Sequence, residues 1–113
     1  MITDLARHVY KTLGHGYSEA VYHRALEVAL RKKNIPYESE RVVPITYEGH
    51  VVGNIRLDLV INNETIIELK TVTTLREKEV TQLKNYMNIT GLNSGLLINF
   101  PITGGYVEVH TVS

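Results

Sequence analysis

Residues 55–70 read IRLDLVINNETIIELK, and the fold turns on how this stretch is divided. Its aliphatic residues fit two buried strands around Asn62-Asn63, yet Asp58, Glu68 and Lys70 stand inside the strand-like runs. Burying charge is costly unless the charge is paired or bound to a metal. Side chains alternate along a strand. Ile55, Leu57, Leu59 and Ile61 are therefore expected on one face of the first strand, with Arg56, Asp58 and Val60 on the other. On the second strand, Ile67 and Leu69 share a face opposite Ile66, Glu68 and Lys70. If both aliphatic rows line one core layer, Asp58, Glu68 and Lys70 share the other side. A two-residue turn at Asn62-Asn63 would set position 58 against 67 and break that arrangement. A loop of Asn62-Asn63-Glu64 sets 58 against 68 and preserves it. The spacing thus predicts a three-residue or bulged connection.

Two carboxylates on neighbouring strands repel each other. Either one takes up a proton or a cation sits between them. A few carboxylate oxygens, with positions left for water and phosphate, suit magnesium or manganese. Lys70 follows Glu68 by two residues and points the same way, where it could orient or deprotonate a water beside the metal. That assembly serves metal-assisted hydrolysis of a phosphodiester. The same spacing also fits a solvated face on which Arg56, Asp58, Glu68 and Lys70 form cross-strand salt bridges.

Working outward, Thr3 is placed to cap a helix with Leu5, Val9, Tyr10 and Leu13 on one face. Gly14-His15-Gly16 breaks it. That break could bring backbone close to a phosphate, although a simple helix-to-helix turn accounts for it. Ser18 can cap a second helix carrying Val21, Tyr22, Ala25, Leu26, Ala29 and Leu30. Arg31-Lys32-Lys33 closes this helix and suits its negative end, with phosphate binding the other role open to the run. Strands are expected over 38–47, 51–61 and 65–71, with Pro44 marking an edge or a bulge. Thr74-Leu75-Arg76-Glu77 reads as a capping box. It opens a helix with Val80, Leu83, Tyr86 and Met87 inward and ends at Gly91. Strands over 95–99 and 105–112 complete the order α-α-β-β-β-α-β-β, a mixed α/β architecture.

The 113 residues fit one domain, 1–113. There is no cysteine, which excludes disulfides, thiol catalysis and iron–sulfur clusters. Formal net charge is zero, so long-range attraction to nucleic acid is not advertised, although a local basic patch is not excluded. The histidines at 8, 15, 23, 50 and 110 lack zinc-ligand spacing. His23, one turn after Glu19, could face the acidic cluster, although a solvated helix position accounts for it more simply. No apolar run has membrane-spanning length and no signal peptide opens the sequence, which reads as cytoplasmic.

The Asp58…Glu68-x-Lys70 pattern resembles the PD-(D/E)XK nuclease superfamily. Gly16-Tyr17-Ser18-Glu19-Ala20-Val21-Tyr22 is similar to G-x-x-E-x-x-Y, the signature of its GxxExxY branch. The similarity continues through Tyr47-Glu48-Gly49, Arg56-Leu57-Asp58, Ile67-Glu68-Leu69-Lys70, Gln82-Leu83-Lys84-Asn85-Tyr86 and Gly95-Leu96-Leu97-Ile98-Asn99-Phe100. Leu57 stands where the superfamily name has proline. The resemblance implies a restriction-endonuclease-like α-β-β-β-α-β core: a mixed central sheet flanked by helices, here with an extra N-terminal helix and C-terminal strand. It implies that Asp58 and Glu68 ligate magnesium or manganese, with the Leu69 carbonyl and Glu19 assisting. Lys70 would position water, and Gln82 and Tyr86, one helical turn apart, would orient substrate or site residues. Tyr86 also fits core packing. The implied function is a metal-dependent phosphodiester hydrolase acting on DNA. The alternative is a weak or inactive nuclease-fold module that binds nucleic acid or a protein partner. A homodimer would enlarge the footprint of so small a domain and offer two sites to two strands.

Overall fold

The computed structural model describes residues 1–113. The elements are α1 (Ile2–Leu13), α2 (Glu19–Lys32), β1 (Tyr37–Tyr47), β2 (His50–Ile61), β3 (Thr65–Lys70), α3 (Glu77–Thr90), β4 (Ser94–Asn99) and β5 (Glu108–Val112). This is the order read from the sequence. The five strands lie in chain order in one sheet. Only β3 and β4 run parallel; the other neighbours are antiparallel. A parallel pair needs a crossover, and α3 supplies it.

Helices cover both faces of the sheet. On one side Leu5, Val9, Tyr10, Tyr22, Leu26 and Leu30 of α1 and α2 pack on Leu59, Ile61, Ile67, Leu69, Ile98 and Phe100. The Tyr22 ring stacks on Phe100 with centroids 4.5 Å apart. On the other side Leu83 and Met87 of α3 pack on Leu57, Val60, Ile66, Leu97 and Val112. Fully burying each such side chain is worth about 1.5–3 kcal/mol. Gly95 allows α3 to lie close on β4, since a Cβ there would meet Leu83 Cδ2 at 2.9 Å.

The β2–β3 connection is the three-residue loop expected. Leu59 faces Ile67, Val60 faces Ile66 and Ile61 faces Thr65. Asn62 and Asn63 take φ of 53° and 54°, a left-handed conformation that asparagine tolerates better than most residues. The same register sets Asp58 against Glu68. Ile66 and Ile67 go to opposite cores, as alternation requires.

Alternation fails once on β2. Leu57 packs in the α3 core, not with Leu59 and Ile61 in the α1/α2 core. The slip falls between Asp58, which lines a cleft beside α2, and Leu59. Opposite Asp58 on β1 stands Glu40, with φ of 55°. Ser39↔Leu59 and Arg41↔Leu57 keep one register across this level, so both strands step irregularly together. The expected common face for Ile55, Leu57, Leu59 and Ile61 is thereby corrected, and so is the expected common side for Asp58, Val60 and Lys70: Asp58 lines the cleft beside α2, whereas Val60 packs in the α3 core and Lys70 bonds Gln82 of α3.

Pro44 lies on edge strand β1, and a bulge follows it between Ile45 and Thr46. Three further expectations change. Thr3 lies inside α1, whose N-cap is Met1. The helix expected from Thr74 starts at Glu77, because Thr74 donates to Glu108 instead; Glu79 accepts from the Arg76 backbone N–H at 3.3 Å. The last strand begins at Glu108, after a turn that uses Gly104 and Gly105 at φ of 92° and 106°.

Candidate active site

The β2–β3 ladder runs from the loop as far as Leu59 and Ile67. Beyond that level side chains replace backbone partners. The Asp58 N–H donates to Glu68 Oε2 at 2.8 Å, and the Leu69 N–H donates to Asp58 Oδ2 at 2.8 Å. Each carboxylate is thus held by an amide beside the other. This reciprocal arrangement follows from the 58-against-68 register and brings the two acids together where the ladder gives way.

Glu68 is buried and Asp58 half-buried. Loss of solvent, then the nearby Asp58 charge, pushes the Glu68 carboxyl up to about 8, against the pull of the Asp58 amide and Lys70. Burial also raises Asp58, while the Leu69 amide opposes the rise. Glu19, at the start of α2, is exposed as a residue, but its carboxyl lines the cleft with Asp58. Desolvation and then Asp58 raise it too. All three carboxyls are thus raised above their ordinary values, with desolvation the largest cause of each. Lys70 Nζ donates to Gln82 Oε1 at 3.3 Å, tying β3 to α3. One turn further along α3, the Tyr86 hydroxyl is raised by burial, then by Glu68 and Asp58. Tyr86 also packs against the α3 core.

All the side chains singled out in the sequence therefore gather around the opening between β2 and β3: Asp58 and Glu68 in direct mutual support, Lys70 with Gln82, and Glu19 and Tyr86 within electrostatic reach. Three further side chains line the cleft: Arg56, expected on the Asp58 face, His23, for which both the cluster and solvent were open, and Glu40, which sequence reading missed. His23 is not solvated: its Nε2 lies 2.9 Å from Ser39 Oγ and 3.2 Å from Glu27 Oε2. Glu40 and Arg56 lie 3.6 Å apart. The 40-against-58 register carries the signal for Glu40, and it becomes visible only once β1 is paired with β2.

The donor set is oxygen-only, which fits a hard cation such as magnesium or manganese. Magnesium is commonly held by one or two carboxylates with water and phosphate completing the shell. Asp58 and Glu68 supply two. No group of three or more histidine, aspartate or glutamate side chains is arranged to hold a metal ion.

A family model described as the PD-(D/E)XK nuclease superfamily matches residues 1–111. Among solved structures, the crystal structure of SSO0001 superposes with a TM-score of 0.62 at 21% identity, covering 99% of this chain and 65% of that one. The chain thus spans about two thirds of that protein's length, and the likeness speaks for the fold. No curated protein matches the chain.

Proposed function

The chain belongs to the PD-(D/E)XK nuclease superfamily, and on that premise we propose that it is a magnesium- or manganese-dependent phosphodiester hydrolase acting on DNA. The observation that carries this reading is the reciprocal hold of Asp58 and Glu68, each carboxylate on an amide beside the other. It fixes two oxygen donors while leaving both acids short of countercharge. Asp58 and Glu68 would hold the cation, helped by the Leu69 carbonyl and by Glu19 directly or through water. A bound divalent cation supplies Lewis-acid polarisation of the phosphate and a more acidic water. Lys70 Nζ, steadied by Gln82, orients the attacking water and takes part in its deprotonation. Tyr86 helps position the strand.

The GxxExxY assignment draws support from the roles of its residues. Gly16 turns the chain at φ of 99°, Glu19 enters the cleft, and Tyr22 anchors the loop by donating to the Gly14 carbonyl at 2.6 Å. A second reading, a weak or inactive module that binds nucleic acid or protein, is favoured by the zero net charge of so small a domain.

Cleavage of several DNA structures with magnesium, with manganese and with chelator tests the first reading, alongside thermal melts. A cation held only by the folded state adds about 2.7 kcal/mol at a hundredfold excess over its Kd. Manganese should therefore raise the wild-type melting temperature by several degrees, and Asp58→Asn should lose both that rise and cleavage. A wild type whose melting ignores both metals and that cuts nothing leaves the module reading in place.

A further inference from the structure

A second concavity, of about 520 Å³, lies between the C-terminal end of α1 and the turn that follows β4. Arg7 and Lys11, one helical turn apart on α1, form one wall. Arg7 is 65% exposed and engaged only by a 3.6 Å surface contact with Asp4, a weak partner. His15 stands at the rim, against Gly104. The opposite wall ends in Tyr106, 91% exposed. An aromatic ring this bare contributes nothing to the core. Gly14, Gly104 and Gly105 line the rest of it.

This groove is wired to the candidate active site from two directions. Phe100 N–H donates to the Lys70 carbonyl at 2.8 Å, and Tyr10 then anchors the next residue by donating to the Pro101 carbonyl. On the other side, Gly14 precedes Glu19 by five residues, a span of at most about 18 Å. A strand leaving the cleft would meet the groove within a short run of nucleotides.

We infer that the groove between α1 and Tyr106 is a binding site for unpaired nucleic acid, with phosphates on Arg7 and Lys11 and a base stacked on Tyr106. The inference rests on the nuclease reading for its occupant. Basic side chains at one wall and a free ring at the other match the two chemistries of a single strand, backbone charge and exposed base faces. A duplex hides its base faces and could use only the charges. The volume suits about one nucleotide rather than a double helix.

The test is fluorescence anisotropy of a labelled twelve-nucleotide oligothymidylate in chelator, so that binding is read without cleavage. Oligouridylate of the same length separates RNA from DNA as the source of the strand. Tyr106→Ala should weaken binding about 5- to 150-fold, as expected for loss of one stacked base, and Tyr106→Phe should stay close to wild type. Arg7→Ala with Lys11→Ala should flatten the dependence of log affinity on log salt by about 1.4. A twelve-base-pair duplex should be indifferent to Tyr106→Ala. Unchanged oligothymidylate affinity in Tyr106→Ala, or an equal loss for the duplex, overturns the inference. Lys70-dependent cleavage with unaltered groove variants would remove the groove and keep the nuclease. Groove-dependent binding without any cleavage would keep the groove and remove the nuclease.

Discussion

Glu68 and Glu108 are two carboxylates at opposite borders of the β3–β4 pair, and the fold treats them in opposite ways. Glu108 accepts from Asn99 Nδ2 at 2.7 Å, Leu75 N at 3.0 Å and Thr74 Oγ1 at 2.9 Å. Burial pushes its carboxyl up, but these donors together hold it below the usual range. Glu68 accepts from one amide and faces Asp58 and Glu19, and burial dominates. One acid is fully served by donors and fastens the β3–α3 loop to β5. The other is left short, at the place where a substrate and a cation would arrive. Polar burial of the first kind stabilises a fold; burial of the second kind opposes folding until something binds.

The sharpest way to break this comparison is at Lys70. Lys70→Ala should lower cleavage by about 10²- to 10⁴-fold, the range for a positioned proton-transfer group, while the melting rise with manganese persists. Loss of both would make Lys70 a structural residue like those around Glu108.

The pH dependence of stability separates the two acids next. The folded value for Glu68, about 8, lies above its ordinary 4.5. The folded state then keeps a proton that the unfolded chain gives up. The stability it contributes is fully present below 4.5 and is lost as pH rises through about 8. In chelator, Glu68→Gln should abolish that alkaline loss and exceed wild type at pH 8 by a few kcal/mol, about 5 at the upper limit. Glu108 carries the opposite sign. Its contribution is present above the ordinary carboxylate value and is lost as pH falls through the lowered one, so Glu108→Gln should blunt acid destabilisation. Melts across pH 4 to 9 read both variants.

Asn99 is fully buried and bonds the Val72 N–H at 2.8 Å and the Val72 carbonyl at 3.0 Å, besides Glu108. Asn99→Ala leaves these groups unpaired and should cost about 3 kcal/mol, a fall of roughly 12–24 °C in Tm. Thr74→Ala removes one exposed donor and should cost at most about 1 kcal/mol, with the manganese-induced rise untouched. A Thr74 effect as large as that of Asn99 would mean that the loop, not the buried amide, organises the cluster.

The register of the β2–β3 hairpin was legible because alternation and the tandem asparagines constrain each other, and with it came the approach of Asp58 to Glu68. The slip at Asp58 was not legible. Nothing in Glu40 announces a left-handed backbone, and only the paired strand reveals it. Thr74 misled for a related reason. Its hydroxyl had a local use as a helix cap, but Glu108, 34 residues away, claims it. For His23 the choice between cluster and solvent stayed open in the sequence, because Ser39 reaches it only through the tertiary fold. Local pattern thus located the charged residues, and long-range packing decided their environment.

The irregular edge of β1 has a bearing on self-association. A sheet's outer strand offers unpaired amides to any passing chain, and the hairpin here adds exposed Val42, Tyr47, Val51 and Val52 to the attraction. Glu40, Pro44 and the bulge after Ile45 interrupt the row of donors and acceptors that such a chain would need. The kink that displaces Leu57 from its expected face is thus also part of a guard against fibrous growth.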